Sequence, residues 1–169
     1  MATSQSRQDF LVSIRPQYVD KILAGKKTVE LRRRFPESVS VGAVAYIYSS
    51  SPVQAVVGCA KIKEVQRLAI ADIWKEHAEA ACISRRDFYD YFSGAKFGFA
   101  ILLGTVKAMR QQVTARELES QFGIVPPQSY RYVTDRFISL FDDEPFQTTH
   151  RHSRSHRAGR PKAGRSAAR

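Results

Sequence analysis

After Pro145 the apolar pattern of this chain stops. The last 23 residues, from Gln147 to Arg169, hold no apolar side chain larger than alanine except Pro161. Such a stretch cannot bury enough surface to offset the entropy of ordering it. Whatever folds must therefore be built from the preceding residues, and ~140 residues suffice for one core. Charge divides at the same place. Seven of the 27 Lys and Arg residues and none of the 16 Asp and Glu residues lie from Gln147 onward, which leaves 20 basic against 16 acidic, or +4, before it. Arg151, Arg154, Arg157 and Arg160 recur at every third position, with His150, His152 and His156 among them. The division predicts a flexible N-terminus over 1–8, a folded domain over 9–146 and a disordered basic tail over 147–169. The tail is of the kind that binds phosphates by counterion release and carries little base information.

Within the folded part the period of the apolar residues alternates between two and 3.6. Residues 10–14 read as a strand. Pro16 then opens a helix whose Tyr18, Val19, Ile22 and Leu23 share a face, and Gly25 ends it. From Lys27 to Arg34, Val29 and Leu31 alternate with Glu30 and Arg32, a two-residue period with one apolar and one polar face. The polar face is expected outside the core. Further strands are expected at 43–49, at 53–65 with Gly58 at a bulge, and at 97–106, the most apolar of them. Helices are expected at 68–80, after Ser84 as far as Gly94, and at 114–122, where Thr114 and Glu117 have capping-box spacing. Residues 125–132 read as a proline-introduced loop, and 137–141 as a last apolar segment, helical or extended. Trp74 and Tyr46 are expected in the core. His77 receives no role.

Several function classes fall away. No stretch approaches the ~18 apolar residues of a membrane span, and the polar start has no signal-peptide core, so a cytoplasmic protein is expected. Cys59 and Cys82 sit in apolar stretches without ligand spacing to another Cys or His, which reads as a pair of buried thiols. There is no Walker-type loop, dinucleotide fingerprint or Cys/His cluster, so neither metal nor organic cofactor is expected. The net charge of +11 points to a polyanion. Without an amphipathic apolar face beside the tail, nucleic acid fits better than a membrane surface.

Gly25 to Arg32 satisfies G-x-K-x-x-E-x-R at every fixed position and follows a strand–helix unit. This arrangement resembles the signature of the ASCH domain family. So do the helix, glycine and strand of 88–101 and the Pro-Pro-Gln-Ser-Tyr-Arg-Tyr run at 126–132. The resemblance covers roughly residues 9–141 and implies an α+β, PUA-like mixed barrel of about five or six strands with short helices. It also implies a cleft near the motif. Lys27 and Glu30 are three positions apart, so a regular strand would place them on opposite faces. If Lys27 lies in the turn before the strand, or at a bulge, both reach one cleft. Arg32 and Arg34 offer planar donor forks for phosphate or a base edge. Tyr48, Gln128, Ser129, Tyr130 and Arg131 are expected nearby, the tyrosines as faces for a base. A solvated strand face laced with weak ion pairs is the competing reading of Lys27, Glu30 and Arg32.

The family resemblance implies two classes of function. The first is a binding module for nucleic acid, RNA more than DNA, aided by the tail. The second is a hydrolase with Lys27 as leading catalytic candidate and Glu30 beside it, acting on RNA or on N4-acetylcytidine. The amidohydrolase-like branch of the family carries a threonine three residues after the motif lysine, where this chain has Glu30. A reader of modified bases in DNA is a third reading, since PUA-like barrels resemble modules that accept an extruded base.

Overall fold

The computed structural model describes residues 8–141. The element order is β1 (Phe10–Ile14), α1 (Pro16–Leu23), β2 (Val29–Arg32), β3 (Val44–Ser49), β4 (Ala55–Ala69), α2 (Ile70–Ala81), α3 (Arg85–Tyr91), β5 (Phe97–Thr114), α4 (Ala115–Phe122), β6 (Tyr130–Tyr132) and α5 (Asp135–Ile138), closed by a 3-10 turn at Ser139–Phe141. The strands form one sheet in the order β2-β5-β4-β3-β1-β6. Only β1 and β3 run parallel; the other pairs are antiparallel. The sheet curls into a half-barrel with β2 and β6 at its two edges. The α+β class and the strand number expected from the sequence are what the chain adopts.

Strand alternation sorts the apolar side chains into three clusters. Phe10, Val12 and Ile14 of β1 and Ala45 and Ile47 of β3 face inward, where Val19 and Ile22 of α1 and Ile101 and Leu103 of β5 join them. The intervening Leu11, Tyr46 and Tyr48 face outward and are covered by Leu118 of α4, Phe137 of α5 and Phe141. A third cluster holds Val29 and Leu31 of β2 beneath Ile73 of α2 and Phe88 and Phe92 around α3, with Trp74 partly buried beside it.

The third cluster corrects the reading of β2. Its two-residue period is as expected, but all four residues are buried. Val29 and Leu31 pack on the outer face because α2 and α3 cover it, and Glu30 and Arg32 look to the inner side of the curl. Glu30 lies among Val12, Ile14, Phe35 and Ile101. The polar face is thus not a solvated one.

Local signals set most boundaries. Gly25, just beyond α1, has φ +71, which lets the chain turn sharply into β2. Ser84 Oγ accepts from the Asp87 N–H at 3.1 Å, and Thr114 and Glu117 form a reciprocal capping box. At Gly58 the register shifts, and a Cβ there would fall 2.7 Å from the Lys107 carbonyl oxygen and 2.9 Å from a Leu23 methyl. Two strands run further than expected, β4 to Ala69 and β5 to Thr114. Their extensions are mostly polar and add few core contacts, Leu68 in β4 and Met109 and Val113 in β5, so the apolar alternation at 107–112 is weak. The segment at 130–132 is a short edge strand rather than a loop, and 137–141 is helical. His77 Nε2 lies 2.7 Å from Gln66 Oε1. Cys59 is buried as expected, but Cys82 is half-buried, in a left-handed conformation that ends α2. Among the described residues no helix is long and apolar enough to cross a membrane.

Candidate functional site

The segment between α1 and β2 is held before the strand begins. The Lys26 and Lys27 amides both donate to the Lys21 carbonyl, and the Thr28 amide donates to the Ala80 carbonyl at 2.9 Å. Lys27 is therefore in the turn rather than in the strand, and its side chain reaches the same cleft as Glu30. Its ammonium meets three acceptors: the carbonyls of Val29 and Ala81, each at 2.8 Å, and Glu30 Oε2 at 3.3 Å. Three acceptors match the three protons of an ammonium group. The other Glu30 oxygen lies 2.9 Å from Arg32 Nη2.

Arg32 carries the cluster across the opening between the sheet's edges. Nη2 donates to the Ser13 carbonyl at 2.7 Å, and Nη1 donates to Ser129 Oγ at 3.3 Å and to the Ser129 carbonyl at 3.4 Å. The Ser13 amide donates to that same Ser129 carbonyl at 2.9 Å. One guanidinium thus joins β2 to β1 and to the approach to β6. Arg32 is 6% exposed, and its Nε is a buried donor without an acceptor among the described residues.

Above this floor opens a cleft of about 680 Å³. This falls within the size range of small-molecule and cofactor sites. Arg15 and Tyr18 of the β1–α1 region form one wall, and Asp87, Asp90 and Tyr91 of α3 form another; Ser50 and Gln128 complete the rim. The Tyr18 ring centroid lies 5.1 Å from Lys27 Nζ, within cation–π reach. The Tyr91 hydroxyl accepts from the Arg33 amide at 3.2 Å and donates to the Leu31 carbonyl at 3.5 Å. Burial pushes its pKa up, an effect that neighbouring Arg32 opposes. Among the described residues no group of His, Cys, Asp and Glu side chains could hold a metal ion.

Lys27, Glu30, Arg32 and Gln128 come together at this cleft, and Ser129 bonds to its floor. Other expected residues do not line it. Tyr48 is buried in the outward-facing cluster because it follows Ile47 by one position and so takes the opposite face of β3. Tyr130 packs against Phe10 and Phe35, with ring centroids 6.1 and 4.7 Å away. Arg34 is exposed beyond the end of β2, and Arg131 donates to the Val125 carbonyl. Arg151, Arg154, Arg157 and Arg160 lie outside the described residues. The sequence reading missed Arg15, Tyr18, Asp87, Asp90 and Tyr91. Phe88 and Phe92, four apart, mark the buried face of α3, so residues at 87, 90 and 91 had to face elsewhere, a signal open to the eye once the helix is placed.

Residues 12–128 match the profile of the ASCH domain. The chain belongs to the ASCH domain family. An ASCH domain-containing ribonuclease from Zymomonas mobilis is 29% identical over 144 residues, 83% of this chain and 97% of that one. The crystal structure of ASCH from Zymomonas mobilis superposes with a TM-score of 0.75 at 28% identity, covering 82% of this chain and 97% of the other. Human THYN1 protein in complex with 5-methylcytosine-containing DNA shares the fold, with a TM-score of 0.50 at 14% identity over 82% of this chain and 99% of that one.

Proposed function

We propose that this ASCH domain binds single-stranded nucleic acid, RNA in preference to DNA, by taking an unpaired base into the cleft above Lys27, Glu30 and Arg32. The observation that carries the reading is the cleft itself: a cavity of about 680 Å³ with a prearranged polar floor and an aromatic ring in each of two walls. Duplex bases are stacked and paired, so a recess of this kind suits a splayed single strand. In this reading 9–146 is the folded reader and 147–169 a basic tail that adds affinity without base information. The test is a titration of single-stranded RNA, duplex RNA and duplex DNA against the full chain and a version ending at Phe146, at low and physiological salt. Retained single-strand preference in the shortened chain supports the cleft. Loss of all binding with the tail overturns it.

A ribonuclease is the second reading, favoured by the name of the relative that aligns over 97% of its length. In that role Lys27 is a positioning residue, because its three protons are all engaged, and Glu30 is the group it aims. Cleavage of end-labelled single-stranded RNA by the full chain, lost in Glu30→Gln while binding persists, is the expected outcome. An uncut strand after prolonged incubation leaves binding alone.

A further inference from the structure

The six charged residues that line the cleft are Arg15, Lys27, Arg32, Glu30, Asp87 and Asp90, three of each sign, in a chain whose net charge is +11. Nor are the inner cations available to a ligand's phosphate. Lys27 is saturated by three acceptors, and both terminal nitrogens of Arg32 are engaged. The freer charges are the two aspartates of α3 and, on the facing wall, the exposed Arg15. Asp90 contacts Arg86 at 3.7 Å with its side chain 73% exposed, and Asp87 accepts from Ser84 Oγ at 2.7 Å. A phosphate entering past Arg15 would meet the α3 carboxylates and find no spare cation on the floor. The floor of the cleft thus suits a neutral base better than a phosphate.

Asp87, Asp90 and Tyr91 sit at i, i+3 and i+4 on α3, so they share one face. The opposite side is anchored by Phe88 and Phe92 in the core. Tyr91 is fixed at its hydroxyl, and its ring stands at the cleft beside the two carboxylates. An ionised carboxylate only accepts hydrogen bonds. The edge placed against this wall must therefore donate. On the facing wall the demand is opposite: the exposed Arg15 guanidinium only donates.

We infer, resting on the nucleic-acid reading above, that α3 is the base-selecting wall: an unpaired base stacks by Tyr91 and gives its exocyclic amino group to Asp87 and Asp90. Cytosine fits both demands, with an amino group at one end of its pairing edge and a carbonyl oxygen at the other. Uracil does not fit. It replaces the amino group with a carbonyl oxygen, and its one N–H donor is flanked by two such oxygens that would face the carboxylates. The phosphates then run outside, past the exposed Arg33 and Arg34.

The test compares oligocytidine and oligouridine RNA of equal length by fluorescence anisotropy with the full chain at physiological salt. The tail contributes equally to both, so it cancels in the ratio of dissociation constants. A charge-assisted hydrogen bond at a partly exposed site predicts at least about a fivefold preference for oligocytidine. Asp90→Asn should reduce that ratio to within about twofold, because the amide can now donate to the uracil oxygen. Asp90 caps nothing, so this variant keeps the fold; the double variant Asp87→Asn with Asp90→Asn should abolish the ratio. Equal affinity for the two strands, or a preference that survives in the double variant, overturns the inference while leaving single-strand binding intact. Failure to bind either strand overturns the nucleic-acid reading and this inference together.

Discussion

Removing the Lys27 ammonium while keeping its stem is the sharpest perturbation of the floor. Lys27→Met leaves the Val29 and Ala81 carbonyls without their donor and takes from Glu30 one of its two cations. The Lys27 side chain is 4% exposed, so water does not replace what is lost. Stripping one partner from a buried charged cluster costs about 3–5 kcal/mol, of which the two orphaned carbonyls account for a large part. For a domain of this size that corresponds to a fall in Tm of roughly 6–20 °C. Lys27→Arg should recover little, since a planar fork cannot address three acceptors arranged around one nitrogen. Urea denaturation read by circular dichroism measures the loss, with the exposed Thr28→Ala as a control expected within about 0.5 kcal/mol of the native chain. A loss below about 1 kcal/mol in Lys27→Met would mean that the ammonium is not a buried, fully engaged charge.

Further outcomes follow from the same structure. Glu30→Gln leaves two buried cations side by side without their shared anion, so it should destabilise by about 3–5 kcal/mol in the same assay. Gly58→Ala should cost about 1–3 kcal/mol, because its methyl group meets the Lys107 carbonyl and Leu23 with backbone on one side that cannot yield. Burial pushes the Cys59 thiol up to about 11 from 9.0. A thiol whose pKa is higher folded than unfolded holds its proton more tightly in the native state. Its contribution is whole below pH ~9 and declines as pH rises toward ~11, by about 2–3 kcal/mol across that window. The difference in urea midpoint between the native chain and Cys59→Ala should change in that direction. With a thiol reagent near neutral pH, the half-buried Cys82 should react in the native protein and Cys59 only after unfolding.

Much of this architecture was legible in the chain because its local signals are strong. Pro16, Gly25, Ser84, Thr114 with Glu117, and Gly123 each mark an end by a mechanism that acts within a few residues. The turn placement of Lys27 was legible as one of two ways, a turn or a bulge, in which it and Glu30 could share a cleft. What could not be read was which side of β2 faces inward. Period two separates Val29 and Leu31 from Glu30 and Arg32 but says nothing of where α2 and α3 dock, and they cover the apolar face from outside. The same uncertainty misplaced Tyr48, whose face of β3 belongs to α4 and α5. The α3 wall escaped because Tyr91 lies beside Phe92 and reads as part of an apolar run. Its position relative to the motif, some 60 residues earlier, depends on how the sheet curls.

In the proposed reading the cleft, and not the basic tail alone, receives the nucleic acid. Amide chemical-shift mapping of the full chain during titration with a short single-stranded RNA addresses this directly. The account predicts that shifts concentrate on Ser13, Arg15, Glu30, Asp90 and Tyr91 and saturate together with one dissociation constant. Shifts confined to residues after Phe141, with those five unmoved at saturation, would contradict it.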